Sequence, residues 1–143
     1  MKEVAKFSEC FVCGEKNSCG LKAKFLVQED GSVATEYKVE KRFVGYSTVL
    51  HGGILASLLD EVMIKAILQE NILAVTAGME LKFKKPIYVN QTIRLMGKVT
   101  SRKGGLFKTE GIARVDDQVV GTATGTYIRA KGDLAETLAS SLE

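Results

Sequence analysis

Alternation of apolar and polar residues along most of the chain predicts β-strands. In such a pattern every second side chain faces a core, as on a half-buried strand. Six segments show it, at residues 21–27, 32–39, 73–84, 92–101, 106–115 and 119–129. Asp30-Gly31 lies between the first two and predicts a β-hairpin, because Asp-Gly suits the tight turns that join antiparallel strands. Gly104-Gly105 and residues 116–118 supply later turns, so a mostly antiparallel sheet is expected.

One segment has helical periodicity instead. From Gly53 to about Glu70 the apolar residues recur at the spacing of a broad buried stripe, and Asn71 suits the end of such a helix. Two strands, one long helix and four strands predict an α+β fold, with a long antiparallel sheet around one central helix. Since one helix cannot cover both faces of such a sheet, we expect pairing with a second copy of the chain.

Composition limits the other function classes. The 143 residues fit one domain, and a hydrophobic content of 45% with a single proline indicates an ordered globular protein. We divide it into an irregular lead-in at residues 1–20, the main domain at 21–130 and a C-terminal tail at 131–143. The net charge is only +3, so general nucleic-acid binding is not expected. No apolar run suits a membrane span and no signal peptide is evident, so a cytoplasmic location is expected.

The three cysteines lie close together as Cys10-x2-Cys13-x5-Cys19. An odd number in a chain expected in the cytoplasm argues against a disulfide framework. The Cys-x2-Cys step suits zinc, but a closed structural site needs four ligands, and His51 is the single histidine. We therefore expect cysteines that pack or stay reduced, with no bound metal. A structural zinc site in the lead-in stays open as an alternative.

The start of the predicted helix, His51-Gly52-Gly53, is the first candidate for chemistry. The first turn of a helix has backbone N–H groups without intrahelical partners, and the helix dipole makes this end positive. Glycines there let a ligand approach the backbone, so the turn can polarise a carbonyl and stabilise an oxyanion. On the residues alone, a simple tight junction between loop and helix explains the two glycines equally well.

Two adjacent carboxylates on the helix have different neighbours. Glu61 has Lys65 four residues later, which predicts an ordinary ion pair on the surface. Asp60 has no cation at the contacting positions, and apolar surroundings favour a more basic carboxylate. Asp60 is therefore the better catalytic candidate, with local capping as the alternative.

Helix geometry places Asp60 too far from the helix start to share a ligand with it. Eight residues of helix advance about 12 Å. If Asp60 and Gly52 serve one substrate, they must come from different copies of the chain, which predicts two equivalent sites in a dimer.

Two further segments are weaker candidates. Thr76 opens a predicted strand and could hold a water molecule, although threonine is also an ordinary strand residue. The basic turn at Arg102, Lys103 and Gly104 could contact phosphates, although such turns are usually solvated.

Taken together, several segments resemble a known family. LHGGILASLLDE, with two strands before it and four after, is similar to the hotdog-fold thioesterases of the phenylacetic-acid-degradation type, within the 4-hydroxybenzoyl-CoA thioesterase superfamily. The likeness covers about residues 20–130. The segments MELKFKKPIYVNQTIRLMGKV, DDQVVGTATGTYI and CFVCGEKNSCGLKAKF resemble other parts of family members.

This resemblance implies a hotdog dimer, or a dimer of dimers, that hydrolyses acyl-CoA or acyl-carrier-protein thioesters. Coenzyme A would be part of the substrate, and no other cofactor, metal, nucleic acid or membrane is implied. Asp60 would be the base or nucleophile, Gly52 N–H would polarise the carbonyl, and Thr76 would position the water or the carboxylate. The substrate-binding residues would be His51, Gly53, Arg102, Lys103 and Gly104.

The sequence departs from the family at Gly45, where many relatives carry an asparagine six residues before the motif histidine. Two alternative functions are kept beside hydrolysis. One is a hotdog enoyl-CoA hydratase, although His51 before the glycine pair fits the thioesterase pattern better. The other is a non-catalytic module that binds acyl-CoA, although regulators of that kind usually carry a DNA-binding appendage.

Overall fold

The computed structural model of the chain describes residues 1–143 and contains one six-stranded antiparallel sheet. Its strands, in chain order, are β1 (Leu26–Val27), β2 (Val33–Lys38), β5 (Ala74–Phe83), β6 (Thr92–Lys103), β7 (Leu106–Val115) and β8 (Gln118–Arg129). Two short strands, β3 (Val44–Tyr46) and β4 (Val49–Leu50), lie outside this sheet. Across the sheet they lie in the order β1-β2-β6-β7-β8-β5. The free edge of β5 is ten residues long, whereas β1 at the other edge has two.

A single long helix, α1 (Gly52–Leu68), packs on one face of this sheet. The contact is close because β6 carries Gly97 beneath it, where any Cβ would come within 2.4 Å of the Val62 carbonyl oxygen. Asn71 follows the helix with φ 63, the left-handed conformation that ends many helices. A long sheet around one central helix is the hotdog fold, so the predicted fold class is confirmed.

The first predicted strand is shorter than expected. Residues 21–25 alternate between buried and exposed as predicted, but only Leu26–Val27 pair with β2. The residues before them bond to the lead-in, since Leu21 N–H donates to Phe11 O and Ala23 N–H to Val12 O. The lead-in thus provides the hydrogen-bond partners that β2 would provide in a longer β1.

Residues 41–51, between the second predicted strand and the predicted helix, contain regular structure. A 3-10 turn at Lys41–Phe43 leads into a small hairpin of β3 (Val44–Tyr46) and β4 (Val49–Leu50). His51 N–H donates to Phe43 O at 2.9 Å, which ties the hairpin to the residue before α1. The hairpin therefore sets where the helix begins.

The chain termini pack against each other. The lead-in at residues 1–20 is irregular, yet Val4, Val12 and Cys13 are buried in the main core. The predicted tail forms a second helix, α2 (Gly132–Ser141), and Ser141 O accepts from Ser8 N–H. Neither helix has the length and apolar character needed to cross a membrane.

The sheet face opposite α1 carries many exposed polar residues, with a few apolar ones among them. Its exposed polar residues include Arg94, Lys98, Glu110 and Thr124, and Met96, Leu106 and Ile128 are exposed apolar residues on the same face. Such a face does not by itself require a second copy to cover it, so the pairing expected from the sequence stays a prediction. The unpaired edge of β5 is a better reason for association, because an edge strand offers free N–H and C=O groups to another chain.

Candidate active site

The start of α1 leaves one backbone donor free. His51 caps the helix, and its Nδ1 accepts from Gly53 N–H at 2.8 Å. The N–H groups of Ile54 and Leu55 both donate to His51 O. Gly52 N–H, the remaining donor of the first turn, has no acceptor within the chain and lies on the exposed side. The histidine thus shapes the turn, and Gly52 is the group able to bind a carbonyl oxygen.

Gly45 lies against the capping histidine. A Cβ at Gly45 would come within 3.3 Å of both Cα and Cδ2 of His51, which is tighter than ordinary side-chain contacts. An asparagine at this position would require a small shift of the histidine or the hairpin. Glycine at position 45, where many relatives have asparagine, therefore leaves room for β3 to pack closely on the start of α1.

Asp60 is half-buried in the middle of α1 and receives two hydroxyl groups on one oxygen. Thr76 Oγ1 donates to Asp60 Oδ1 at 2.9 Å, and the Tyr127 hydroxyl donates to the same atom at 2.8 Å. No side chain within the chain donates to Oδ2. The carboxylate is therefore held in place through one oxygen while the other remains free to accept a proton or attack.

Tyr127 is the residue that sequence reasoning missed. Its side chain is fully buried, and burial beside the Asp60 carboxylate raises the pKa of the phenol, which keeps it protonated as a donor. Tyr127 is the direct cross-strand partner of Thr76 in the β5–β8 pair, so both side chains face α1 together. The alternation of the last strand was the available signal, but it gave no register against β5.

Glu61 and Lys65 were predicted as a surface ion pair, and this was wrong. Glu61 is 9% exposed and Lys65 0% exposed, with Lys65 Nζ 3.7 Å from Glu61 Oε2. Burial raises the pKa of the Glu61 carboxyl to about 7, and the neighbouring Cys10 adds to the rise. The lead-in covers this side of the helix, which periodicity alone does not reveal. Asp60 remains the better candidate because it faces the strands beside the open edge of β5.

The predicted site residues form three groups rather than one. His51, Gly52 and Gly53 lie at the start of α1, and Asp60 with Thr76 lies about 12 Å further along the helix. Arg102 and Lys103 end β6 and Gly104 begins the turn after it, where Arg102 pairs with Glu70 just beyond the end of α1. Helix length puts this turn roughly 25 Å from Gly52 of the same chain.

A cavity of about 260 Å³ opens beside Gly52. It is lined mainly by apolar groups, including Leu55, Phe83 and Ile87, and by Gly52 itself. Three larger concavities, of about 840, 610 and 580 Å³, border neither Gly52 nor Asp60. The small cavity is thus the one placed to receive a group whose carbonyl meets the helix start.

The family model for the thioesterase superfamily matches residues 48–124, just over half of the chain and all of α1. The chain belongs to the thioesterase superfamily. A search of curated protein sequences gives no match.

Solved structures support the same family. One thioesterase superfamily protein shares 26% identity with a TM-score of 0.79 over 85% of this chain, which spans 63% of that protein. The PaaI protein of E. coli, from its phenylacetic acid degradation operon, shares 18% identity with a TM-score of 0.73, covering 78% of this chain and 82% of that one. A hypothetical thioesterase from Streptococcus pneumoniae TIGR4, solved with coenzyme A, shares 18% identity with a TM-score of 0.71, covering 76% and 85%. The last two establish likeness of fold alone.

Proposed function

We propose that the protein hydrolyses acyl-CoA thioesters to a free acid and a thiol. The observation that carries this proposal is the single free backbone donor at Gly52, left by a helix start whose other N–H groups are bonded. An N–H at the positive end of a helix stabilises the oxyanion that forms when a thioester carbonyl is attacked. The solved thioesterase with bound coenzyme A supports the choice of thiol carrier.

Asp60 would provide the base. Its free Oδ2 takes a proton from water, and the water oxygen bonds to the carbonyl carbon. The tetrahedral intermediate then collapses, the C–S bond breaks, and the proton passes from Asp60 to the departing thiolate. Direct attack by Oδ2 would instead form a mixed anhydride. A single turnover in isotopically labelled water separates the two routes, because only direct attack places the label in the protein.

We propose that each site combines two chains. Gly52 and Asp60 of one chain are about 12 Å apart along a rigid helix, too far for both to act on one thioester. Thr76 and Gly78 are exposed on the unpaired edge of β5, close to Asp60. Pairing of two β5 edges would bring a second copy to this position. The Gly52 of that copy then faces the Asp60 of the first.

The remaining candidates would bind the two ends of the substrate. The acyl group would enter the apolar cavity beside Gly52, which has Phe83 on its wall. The basic turn would contact the phosphates of coenzyme A through Lys103 and the Gly104 backbone, with Arg102 partly neutralised by Glu70.

A panel of thioesters tests the proposed function. We expect thiol release from acyl-CoA esters, with a rate that depends on acyl length and aromaticity. For the best acyl group, Lys103→Ala should raise KM for the CoA ester and leave KM for the matching pantetheine ester unchanged, since the latter lacks the nucleotide phosphates. Binding of acyl-CoA without thiol release would identify a non-catalytic module, and hydration of an enoyl-CoA without thiol release would identify a hydratase. Either result would contradict hydrolysis.

Tyr127 should act as a positioning residue. Tyr127→Phe keeps the buried ring but removes one of two hydrogen bonds to Asp60, and bonds to charged groups contribute about 1.5–3 kcal/mol. We expect kcat to fall at least about tenfold with little change in KM.

Tyr37→Phe is the matched control for this variant. Tyr37 is also buried, but its hydroxyl has no hydrogen-bond partner, so its removal should leave kcat and KM at the wild-type values. Equal kcat in both variants would show that the Tyr127 hydroxyl does not position Asp60.

A further inference from the structure

A second group of reactive side chains lies around Glu61, the residue that follows Asp60 on α1. The lead-in brings Cys10 and Cys13 against Glu61, and the donor atoms of the three residues all lie within 4.8 Å of one another. Both cysteines are free thiols. His51, the only metal ligand that the sequence offered as a partner for them, precedes Glu61 by about 15 Å of helix. The structure thus supplies a ligand that the sequence did not reveal.

The loop between the two cysteines is folded tightly around one sulfur. Val12 N–H and Cys13 N–H point at Cys10 Sγ, at 3.3 and 3.4 Å. Gly14 N–H donates to Cys10 O at 2.8 Å, and a Cβ at Gly14 would lie 2.5 Å from Cys10 N. The turn therefore excludes other residues at position 14. Two amide dipoles aimed at one sulfur stabilise a thiolate, the form in which cysteine binds metals.

Glu61 has only weak or long contacts to hydrogen-bond donors despite its burial. The Cys10 thiol donates to its Oε2 at 3.7 Å and Lys65 Nζ lies 3.7 Å from the same atom, while no backbone N–H or hydroxyl group donates to the carboxylate. Lys65 is engaged elsewhere, since its Nζ donates to Ala5 O and lies 5.4 Å from the centre of the Phe7 ring. A buried carboxylate without a close donor is costly unless a cation satisfies it.

The charges of this group leave room for one divalent ion. Two thiolates and one carboxylate bring three negative charges, and Lys65 beside them brings one positive charge. A divalent cation cancels the remaining two, which makes the buried group neutral as a whole. A Cys10–Cys13 disulfide would also leave a neutral Glu61–Lys65 pair, but it would give Glu61 no new partner and would remove the thiolate that the two amides face.

We propose that Cys10, Cys13 and Glu61 bind a zinc ion that fastens the lead-in to α1. Zinc–sulfur and zinc–oxygen bonds in a tetrahedral site place the ligand atoms roughly 3.6 Å apart for sulfur and oxygen. The separation of Cys10 Sγ and Glu61 Oε2 is 3.7 Å. Three protein ligands leave the fourth position to a water molecule, and the soft thiolates favour zinc over magnesium or calcium.

Such an ion would have a structural effect next to the Asp60 site. Residues 1–20 have no helix or long strand of their own, so a metal link to Glu61 would hold them against the helix. Because ligands from both segments meet only in the folded chain, the free energy of metal binding adds to folding stability. This inference does not depend on hydrolysis, and it stands or falls separately from the proposed function.

Metal content and cobalt spectroscopy of the full chain test the inference. The protein is purified under reducing conditions, given zinc, dialysed and analysed for zinc per chain; a second sample is titrated with cobalt. We expect about one zinc per chain and, with cobalt, the strong near-ultraviolet absorption of thiolate ligands. Absence of bound zinc or of this absorption in the folded wild-type protein would overturn the proposal, whether or not a disulfide is found.

Three substitutions assign the ligands. Cys13→Ser and Glu61→Gln should each weaken zinc binding at least about tenfold, since even supporting residues of metal sites contribute that much. Cys19→Ser is the matched control, because Cys19 is an exposed cysteine outside the group. It should bind zinc like the wild type. A chelator should lower Tm of the wild type and of Cys19→Ser, but not of Cys13→Ser. Equal zinc loss in Cys19→Ser, or undiminished binding in Glu61→Gln, would refute this ligand set.

Discussion

Asp60→Asn is expected to reduce thioester hydrolysis at least about a thousandfold, near the upper end of what one general base contributes. Asparagine has almost the same shape and can still accept the hydrogen bonds that Thr76 and Tyr127 donate to Oδ1. It cannot take a proton from water or attack a carbonyl. The effect should therefore appear in kcat, measured by release of free thiol, while the circular dichroism spectrum and Tm stay close to the wild type.

Asp117→Asn is the matched control for this loss. Asp117 is exposed in the turn between β7 and β8 and has φ 66, a conformation that asparagine also tolerates. It should retain wild-type kcat. If Asp60→Asn kept a tenth or more of the wild-type kcat, the base would have to be sought elsewhere, first at Glu61, whose carboxyl pKa is raised to about 7 by burial.

Gly52→Pro is expected to reduce kcat by about a hundred- to a thousandfold, the usual effect of losing one oxyanion donor. Proline removes the N–H and is well accepted in the first position of a helix. The preceding residue already has the extended conformation that proline requires, since His51 has φ −60 and ψ 131. The substitution therefore removes the N–H donor at little cost to the fold, and it adds the proline ring at the start of the helix.

Gly52→Ala tests whether catalysis requires the N–H at position 52 or the open space around it. A Cβ at position 52 would lie 3.6 Å from Phe83 Cε1, an ordinary van der Waals contact, and alanine retains the N–H. Alanine should keep kcat within about threefold of the wild type, because no oxyanion donor is lost. Equal loss from alanine and proline would show that access to the helix start matters rather than its donor.

Periodicity predicted most of the fold because the strands and α1 each face a single core. The strand β7 runs from Leu106 to Val115, as the alternation indicated, and α1 begins one residue before the predicted start. The shortened β1 and the β3–β4 hairpin were missed for a shared reason. The residues before β1 bond to the lead-in, which is distant in sequence, and β3 and β4 are only three and two residues long. Neither situation produces a periodic pattern in the sequence.

The sequence predicted those site residues whose position depends on a single element or on likeness to the family. Asp60 and Thr76 were both named, and the structure brings them into contact. Tyr127 joins them only through the register of β5 against β8, which the sequence does not express. The surroundings of Glu61 were misjudged because an irregular lead-in buries it, and irregular segments give no signal of which surface they cover.

Mixing two inactive variants tests most directly whether each site is built from two chains. Asp60→Asn and Gly52→Pro chains are unfolded together in equal amounts, refolded and assayed for thiol release. A mixed dimer would hold one site with both defects and one site with neither. Random pairing makes half of the dimers mixed, so about a quarter of the wild-type activity should return if each site spans two chains. Activity no higher than the average of the two separate variants would contradict a site shared between chains. It would indicate that Gly52 and Asp60 of one chain act together.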